Sequence, residues 1–219
     1  MALHLIIFGS PGAGKGTQAD RIARKFGVPH IATGDLLRDA VARGTELGVK
    51  AREFMERGQL VPDELVVGMI EERLRRLDCK RGFVLDGFPR TLAQAKALDE
   101  ILKKLEARID AVINLETSEG EIVKRLSNRR VCRVCGAVYH LIFNPPKNSE
   151  RCDRCGGELY QREDDREEVI KRRIQVYQMQ TRSIIEYYQE RGVLITVDGN
   201  RSIGKLLEGI KSDRPREKH

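Results

Sequence analysis

Gly9–Thr17 reads GSPGAGKGT and stands directly behind the apolar run Leu3–Phe8, LHLIIF. A buried strand that runs through a glycine-rich turn into a helix presents a row of backbone N–H groups to an anion. Lys15 adds a mobile cation suited to β and γ phosphate oxygens. The stretch is one letter away from G-x-x-x-x-G-K-[ST]: Gly16 follows the lysine, and the hydroxyl arrives one place later as Thr17. Alone, such a loop points to a nucleoside triphosphate and leaves an incidental glycine turn as the alternative.

Outward from the loop, Lys15–Phe26 has helical periodicity, which completes a βα unit. His30–Ala32, Gly82–Leu85, Ala111–Leu115 and Val193–Val197 are further short apolar segments bounded by polar turns. Strands alternating with helical patterns predict an α/β P-loop three-layer sandwich, with five parallel strands covered by helices on both faces. Two stretches interrupt the alternation. Residues 33–61 hold two helical patterns, GDLLRDAVARG and LGVKAREFMERG, with no strand between them. Residues 129–162 are rich in Cys, Gly and Pro and return to a long helix near Asp165. The expected organisation is a core of residues 1–32, 62–128 and 163–219 carrying one helical and one cysteine-bearing insert. The polar tail KSDRPREKH is expected to fray.

The second insert spaces its cysteines C-x2-C-x16-C-x2-C, at Cys132, Cys135, Cys152 and Cys155, with a glycine after each pair. Two such knuckles suit tetrahedral thiolate coordination of a structural zinc, because four protein ligands leave no open position for chemistry. Disulfides, which a reducing cytosol disfavours, four buried free thiols, and iron in the same four-sulfur geometry are the alternatives. Cys79 has no sequence partner and reads as an inert thiol.

Composition narrows the classes. The chain has 219 residues, 40% of them apolar, enough for a packed interior. No apolar run approaches the ~20 residues of a membrane span, and the N-terminus lacks the features of a signal peptide. A soluble, cytoplasmic protein is expected. The net charge of +7 is distributed as interleaved acids and bases, as in EERLRR and REDDREEVIKRR, which favours solvated helix faces over a polyanion surface. The insert's aromatic residues are Tyr139, Phe143 and Tyr160 alone, too few for a nucleic-acid stacking platform.

GSPGAGKGT, ATGDLLR, LDGFPRT, the arginine series RR…YQREDD…IKRR and VDG occur in the order found in adenylate kinases, and the chain resembles that family from about Leu3 to Arg201. The resemblance implies transfer of a phosphoryl group from MgATP to AMP, giving two ADP. In that family GKGT is the normal form of the loop, with Mg2+ held mainly by phosphate oxygens and water. It assigns Gly12, Ala13, Gly14, Lys15, Gly16, Thr17, Arg125, Arg129, Val138, Tyr139 and Arg201 to ATP, with Arg125 stacking on the base. It assigns Thr33, Gly34, Arg38, Gln59, Leu60, Val61, Gly87, Phe88, Pro89, Arg90, Gln94, Arg162 and Arg173 to AMP. Gln94 is expected to read the adenine edge, since a carboxamide donates and accepts at once. Lys15, Arg90, Arg129, Arg162, Arg173 and Asp86 would surround the transfer, Asp86 by orienting the water shell of Mg2+. The helical insert resembles the AMP-binding domain, and the cysteine insert a zinc-clamped lid with Asp164 and Asp165 as its closing carboxylates. No histidine receives a role. ATP, AMP and ADP are the implied partners, with no nucleic acid or membrane, and a monomer is the expected state. A kinase for UMP, CMP or GMP, and a zinc-ribbon nucleic-acid-binding protein with an NTPase loop, are the competing readings.

Overall fold

The structure, a computed structural model, describes residues 2–148 and 150–199. β1 (Leu3–Gly9) is buried along its whole length. Its side chains alternate between two apolar clusters: Leu3, Leu5 and Ile7 face one, Ile6 and Phe8 the other. β2 (His30–Ala32), β3 (Gly82–Asp86), β4 (Ala111–Glu116) and β8 (Leu194–Asp198) complete the sheet in the order β2-β3-β1-β4-β8. Every pairing in it is parallel.

Helices cover both faces because both faces are apolar. α1 (Lys15–Phe26) lays Ala19, Ile22 and Ala23 on the Leu5–Ile7 side. On the Ile6–Phe8 side sit α4 (Asp63–Leu74), α5 (Leu92–Lys104) and α7 (Glu167–Glu190), through residues such as Val66, Ile70, Leu98 and Ile184. β1 thus lies between β3 and β4, strands reached much later in the chain, so a crevice opens at the carboxyl ends of these strands. The loop after β1 occupies that crevice. Gly9 and Gly12 permit it: with φ of 145° and 80°, a Cβ would meet Leu115 O at 2.7 Å and Leu126 Cγ at 3.0 Å respectively.

The first excursion is α2 (Thr33–Ala42) and α3 (Glu46–Glu56), the latter capped by Thr45, whose hydroxyl accepts the Gly48 N–H at 3.1 Å. The second follows α6 (Glu119–Ser127) and is a separate antiparallel sheet, β6-β5-β7, of β5 (Arg129–Cys132), β6 (Val138–His140) and β7 (Leu159–Tyr160). The chain does not pass straight into α7 near Asp165. A 3₁₀ turn at Glu163–Asp165 comes first, because Asp165 is buried against Arg129 and the helix starts only at Glu167. No helix among the described residues is long and apolar enough to cross a membrane. The tail and Arg201 lie outside the described residues.

Candidate functional site

The loop leaves its lysine on its own carbonyls. Lys15 Nζ donates to Gly9 O at 2.7 Å and to Ser10 O at 2.8 Å. α1 has no acidic residue in its first turn, so its N-terminal N–H groups and dipole are not neutralised from within the helix. Asp86 closes β3 beside this loop, and its Oδ2 lies 3.3 Å from His30 Nε2. A Cβ on residue 16 would rest 3.4 Å from the same carboxylate oxygen. Glycine directly after the lysine therefore keeps the space in front of Asp86 open, which is the structural meaning of the displaced hydroxyl.

Basic side chains converge on this end of the sheet. Arg38 pairs with Asp35 at 2.6 Å and Asp164 at 3.3 Å, while Arg162 reaches Asp35 at 2.8 Å. Arg129 grips Asp165 with two bonds of 2.5 and 2.8 Å, and Arg173 lies 3.1 Å from Asp164. Arg90 folds back to donate to Gly87 O at 2.9 Å. Burial, with the neighbouring charges of Arg90, Arg173 and Arg129 outweighing the attraction of Asp86, pushes Lys15 down to about 8. Burial also pushes Arg162 and Arg173 down to about 10. Asp164 goes the other way. Burial alone would raise it, but Arg173, Arg38, Arg129 and Arg162 hold it at about 2. Six cations (Lys15, Arg38, Arg90, Arg129, Arg162, Arg173) here face four carboxylates (Asp35, Asp86, Asp164, Asp165). In addition, Thr33 Oγ1 and Arg162 Nε are buried without a hydrogen-bond partner. The cluster is short of anions.

Two cavities adjoin it. One opens on Gly9, Pro11 and Lys15. The other collects Thr33, Gly34, Arg38, Gln59, Leu60, Val61 and Gln94 from the helical excursion and its surroundings. Gly58, Leu60, Gly87, Arg90 and Arg173 line both and so form a shared wall.

Most predicted side chains therefore converge, with specific exceptions. Phe88 is fully buried in the core, and Pro89 lines the first cavity, not the second. Ala13 is buried in the loop and Thr17 is exposed. Arg125 pairs with Glu121 at 2.8 Å and lies beside Gly14. Val138 is exposed on the second sheet, but the phenol of Tyr139 turns inward, 3.4 Å from Cys152 Sγ, so that side chain belongs to the cysteine cluster and does not face a cavity. Gln94 is 2% exposed, with its oxygen bonded to Arg90 N and its nitrogen to Asp63, so part of its capacity is already committed. Three contributors escaped the sequence reading. Asp35 sits in the quoted TGD but its pairing with Arg162 spans 127 positions; His30 lies 56 positions from Asp86; Asp63 carries no motif at all. Cys79 does have neighbours: Arg73 Nη1 is 3.1 Å from its sulfur, and burial pushes the thiol up to about 11, which keeps it unreactive.

The four lid cysteines place their sulfurs within 4.8 Å of one another. Cys132 and Cys155 approach to 3.5 Å, as do Cys135 and Cys152, far beyond the ~2.05 Å of a disulfide. Four thiolates at 2.3 Å from one tetrahedral centre would lie about 3.8 Å apart, close to what is seen. The N–H groups of Val134 and Arg154 donate to the Cys132 and Cys152 sulfurs at 3.4 Å, bonds that favour their thiolate form. Among the described residues, Cys132, Ala137, Tyr139, Cys152 and Leu159 form the apolar cluster at the centre of this sheet, a small core for an independent unit. The donor set fits zinc.

The family described as adenylate kinase matches residues 7–193. An adenylate kinase of Archaeoglobus fulgidus is 58% identical over 217 residues, covering 96% of this chain and 100% of the relative. Adenylate kinases of Methanocella arvoryzae and Bacillus licheniformis are 52% and 50% identical, each with at least 95% of this chain covered and 97% and 96% of the relative.

Proposed function

The chain belongs to the adenylate kinase family, which interconverts ATP plus AMP with two ADP, and we propose that in this chain the phosphoryl group crosses the wall shared by the two cavities. ATP occupies the loop-side cavity, with its terminal phosphates on the α1 N-terminus and Lys15. AMP occupies the cavity of Thr33, Arg38 and Gln94. The observation that carries this reading is the cation excess around Arg90 and Arg173, which the protein's own carboxylates leave incompletely neutralised.

Phosphoryl transfer passes through a loose, highly charged transition state, so the protein contributes positioning and electrostatic stabilisation. The acceptor oxygen on AMP is ionised at neutral pH and needs no base. Lys15, Arg90, Arg129, Arg162 and Arg173 supply the charge. Mg2+ arriving with ATP neutralises the phosphate oxygens, and a single carboxylate with an open front, Asp86, suits an ion that keeps most of its water. His30 Nε2 lies 3.3 Å from the same carboxylate and helps to position it.

The residues from β5 to β7 act in this account as a lid that keeps water from the phosphoryl group. Arg129, Arg162 and Arg38 are engaged with Asp165, Asp35 and Asp164, and incoming phosphates compete with these carboxylates for the same guanidinium groups. Cys132, Cys135, Cys152 and Cys155 would hold a structural zinc, which would cross-link the loops of the lid.

Arg90→Ala tests the shared wall. Its side chain is solvent-accessible at the cavity wall and donates to a local carbonyl, so the fold tolerates its loss. Transfer to AMP is expected to fall by about 10²–10³ in kcat/KM, the scale seen on removing one preorganised stabilising donor. Steady-state rates within threefold of the parent would remove Arg90 from the site.

A further inference from the structure

Asp63 lies 31 residues before Gln94 in the chain, in the first turn of α4, yet its carboxylate stands behind the wall of the second cavity, bonded to Gln94, which lines it. Its Oδ1 accepts from Gln94 Nε2 at 2.6 Å, and its Oδ2 accepts from Thr91 Oγ1 at 2.7 Å. The other end of the same carboxamide, Gln94 Oε1, accepts the Arg90 backbone N–H at 2.7 Å. Thr91 closes the circuit as the cap of α5, its hydroxyl accepting the Gln94 backbone N–H at 3.1 Å.

The circuit has a fixed polarity. An ionised carboxylate only accepts, and a backbone N–H only donates. Turning the Gln94 amide over would set its oxygen against Asp63 and its NH2 against the Arg90 N–H. Two hydrogen bonds would be replaced by two repulsive contacts on a side chain that is 2% exposed. A carboxamide has two N–H groups and two lone pairs. The protein takes one of each, which leaves one donor and one acceptor, in a known order, for a ligand in the cavity.

We propose that Asp63 is a specificity-positioning residue: by locking the Gln94 amide it makes the cavity accept a purine edge with a ring-nitrogen acceptor beside an exocyclic amine, and reject the reversed edge. The inference rests on the reading of this cavity as the AMP site. Adenine presents the accepted edge through N1 and its 6-amino group. Hypoxanthine has nearly the same outline but presents N1–H and a 6-oxo group, the reverse polarity. A freely turning glutamine would serve both bases. The locked one serves one, and because Arg90 belongs to the same circuit, the base is read in register with the arginine at the shared wall.

The test compares AMP and IMP as acceptors from saturating MgATP, for the parent, Asp63→Asn and Gln94→Ala. Asparagine is isosteric with aspartate but offers either an oxygen or an NH2 to Gln94, which removes one of the two posts holding the amide. The IMP/AMP ratio of kcat/KM is expected to rise by about tenfold or more in Asp63→Asn, carried by the KM values, a modest share of what polar mismatches can discriminate. A merely structural role would lower both substrates alike, so a ratio within threefold of the parent overturns the inference whatever the absolute rates. Gln94→Ala separates the two levels of the argument. If it leaves the KM for AMP unmoved, the cavity reading itself fails. If it raises that KM while Asp63→Asn leaves the ratio alone, only the role of Asp63 fails. Should Asp63→Asn not fold, Asp63→Ser, which keeps a residue suited to a helix start, carries the same ratio test.

Discussion

Lys15→Met is expected to lower kcat/KM by about 10²–10³-fold, comparable to losing an oxyanion-stabilising donor, while the fold remains intact. Among the described residues the lysine's hydrogen bonds go to the carbonyls of its own loop, Gly9 O and Ser10 O, and burial pushes its amine down to about 8. A group held in this way is kept for a ligand, not for the fold. The linkage has a definite sign. The folded value lies below the ordinary 10.5, so between about 8 and 10.5 the unfolded chain binds more protons than the native one. Stability conferred on the parent at this position therefore rises with pH across that window, and the penalty is fully present below about 8. Urea unfolding at pH 7 and pH 10 should show an increment of order 1–3 kcal/mol in the parent that the methionine variant lacks. Near-parent catalysis, or equal pH dependence in both proteins, would contradict the assignment.

Removing the metal from the cysteine cluster is the second large effect. The apolar cluster at the centre of the second sheet has five residues, two of them cysteines, so its folding is expected to depend on the cross-link. Structural zinc contributes roughly 10 kcal/mol to the folding of a small unit. Metal analysis should find about one zinc per chain. Chelation, or Cys152→Ser, should expose residues 129–160 to proteolysis and lower Tm by about 10 °C or more, several kcal/mol at the ~2–4 °C per kcal/mol expected for this size. The rate at room temperature, measured while the lid is still folded, should change far less. Immediate and complete loss of activity without any unfolding would give the metal a catalytic part and contradict the structural one.

The fold was legible because its central strands β1, β3 and β4 are buried on both faces and so read as short, continuous apolar runs. Leu3–Gly9 is the extreme case, with every residue buried. Motifs local in the chain were equally clear: Gly9, Gly12 and Gly14 of the loop have positive φ, and the four cysteines come together as their spacing requires. What stayed hidden is long-range pairing. Asp63 meets Gln94 only because α4 and α5 pack side by side, and nothing in DELVV marks an aspartate that sets the polarity of a distant amide. His30 is placed against Asp86 by the register of β2 on β3, in which Ala32 pairs with Asp86. The position of the Tyr139 phenol was hidden too: the family resemblance assigns the residue to ATP, and nothing in its motif announces a phenol 3.4 Å from Cys152 Sγ at the centre of the second sheet.

The most direct test of the account is ADP formation from MgATP with AMP, GMP, CMP and UMP as acceptors, followed at equal concentrations with the parent enzyme. Rapid formation of two ADP per AMP consumed, with the other three acceptors slower by at least about tenfold, is the result the two joined cavities and the locked Gln94 predict. Preferred transfer to another monophosphate would contradict the base assignment, and no transfer to any of the four would contradict the transfer across Arg90 and Arg173 on which the account stands.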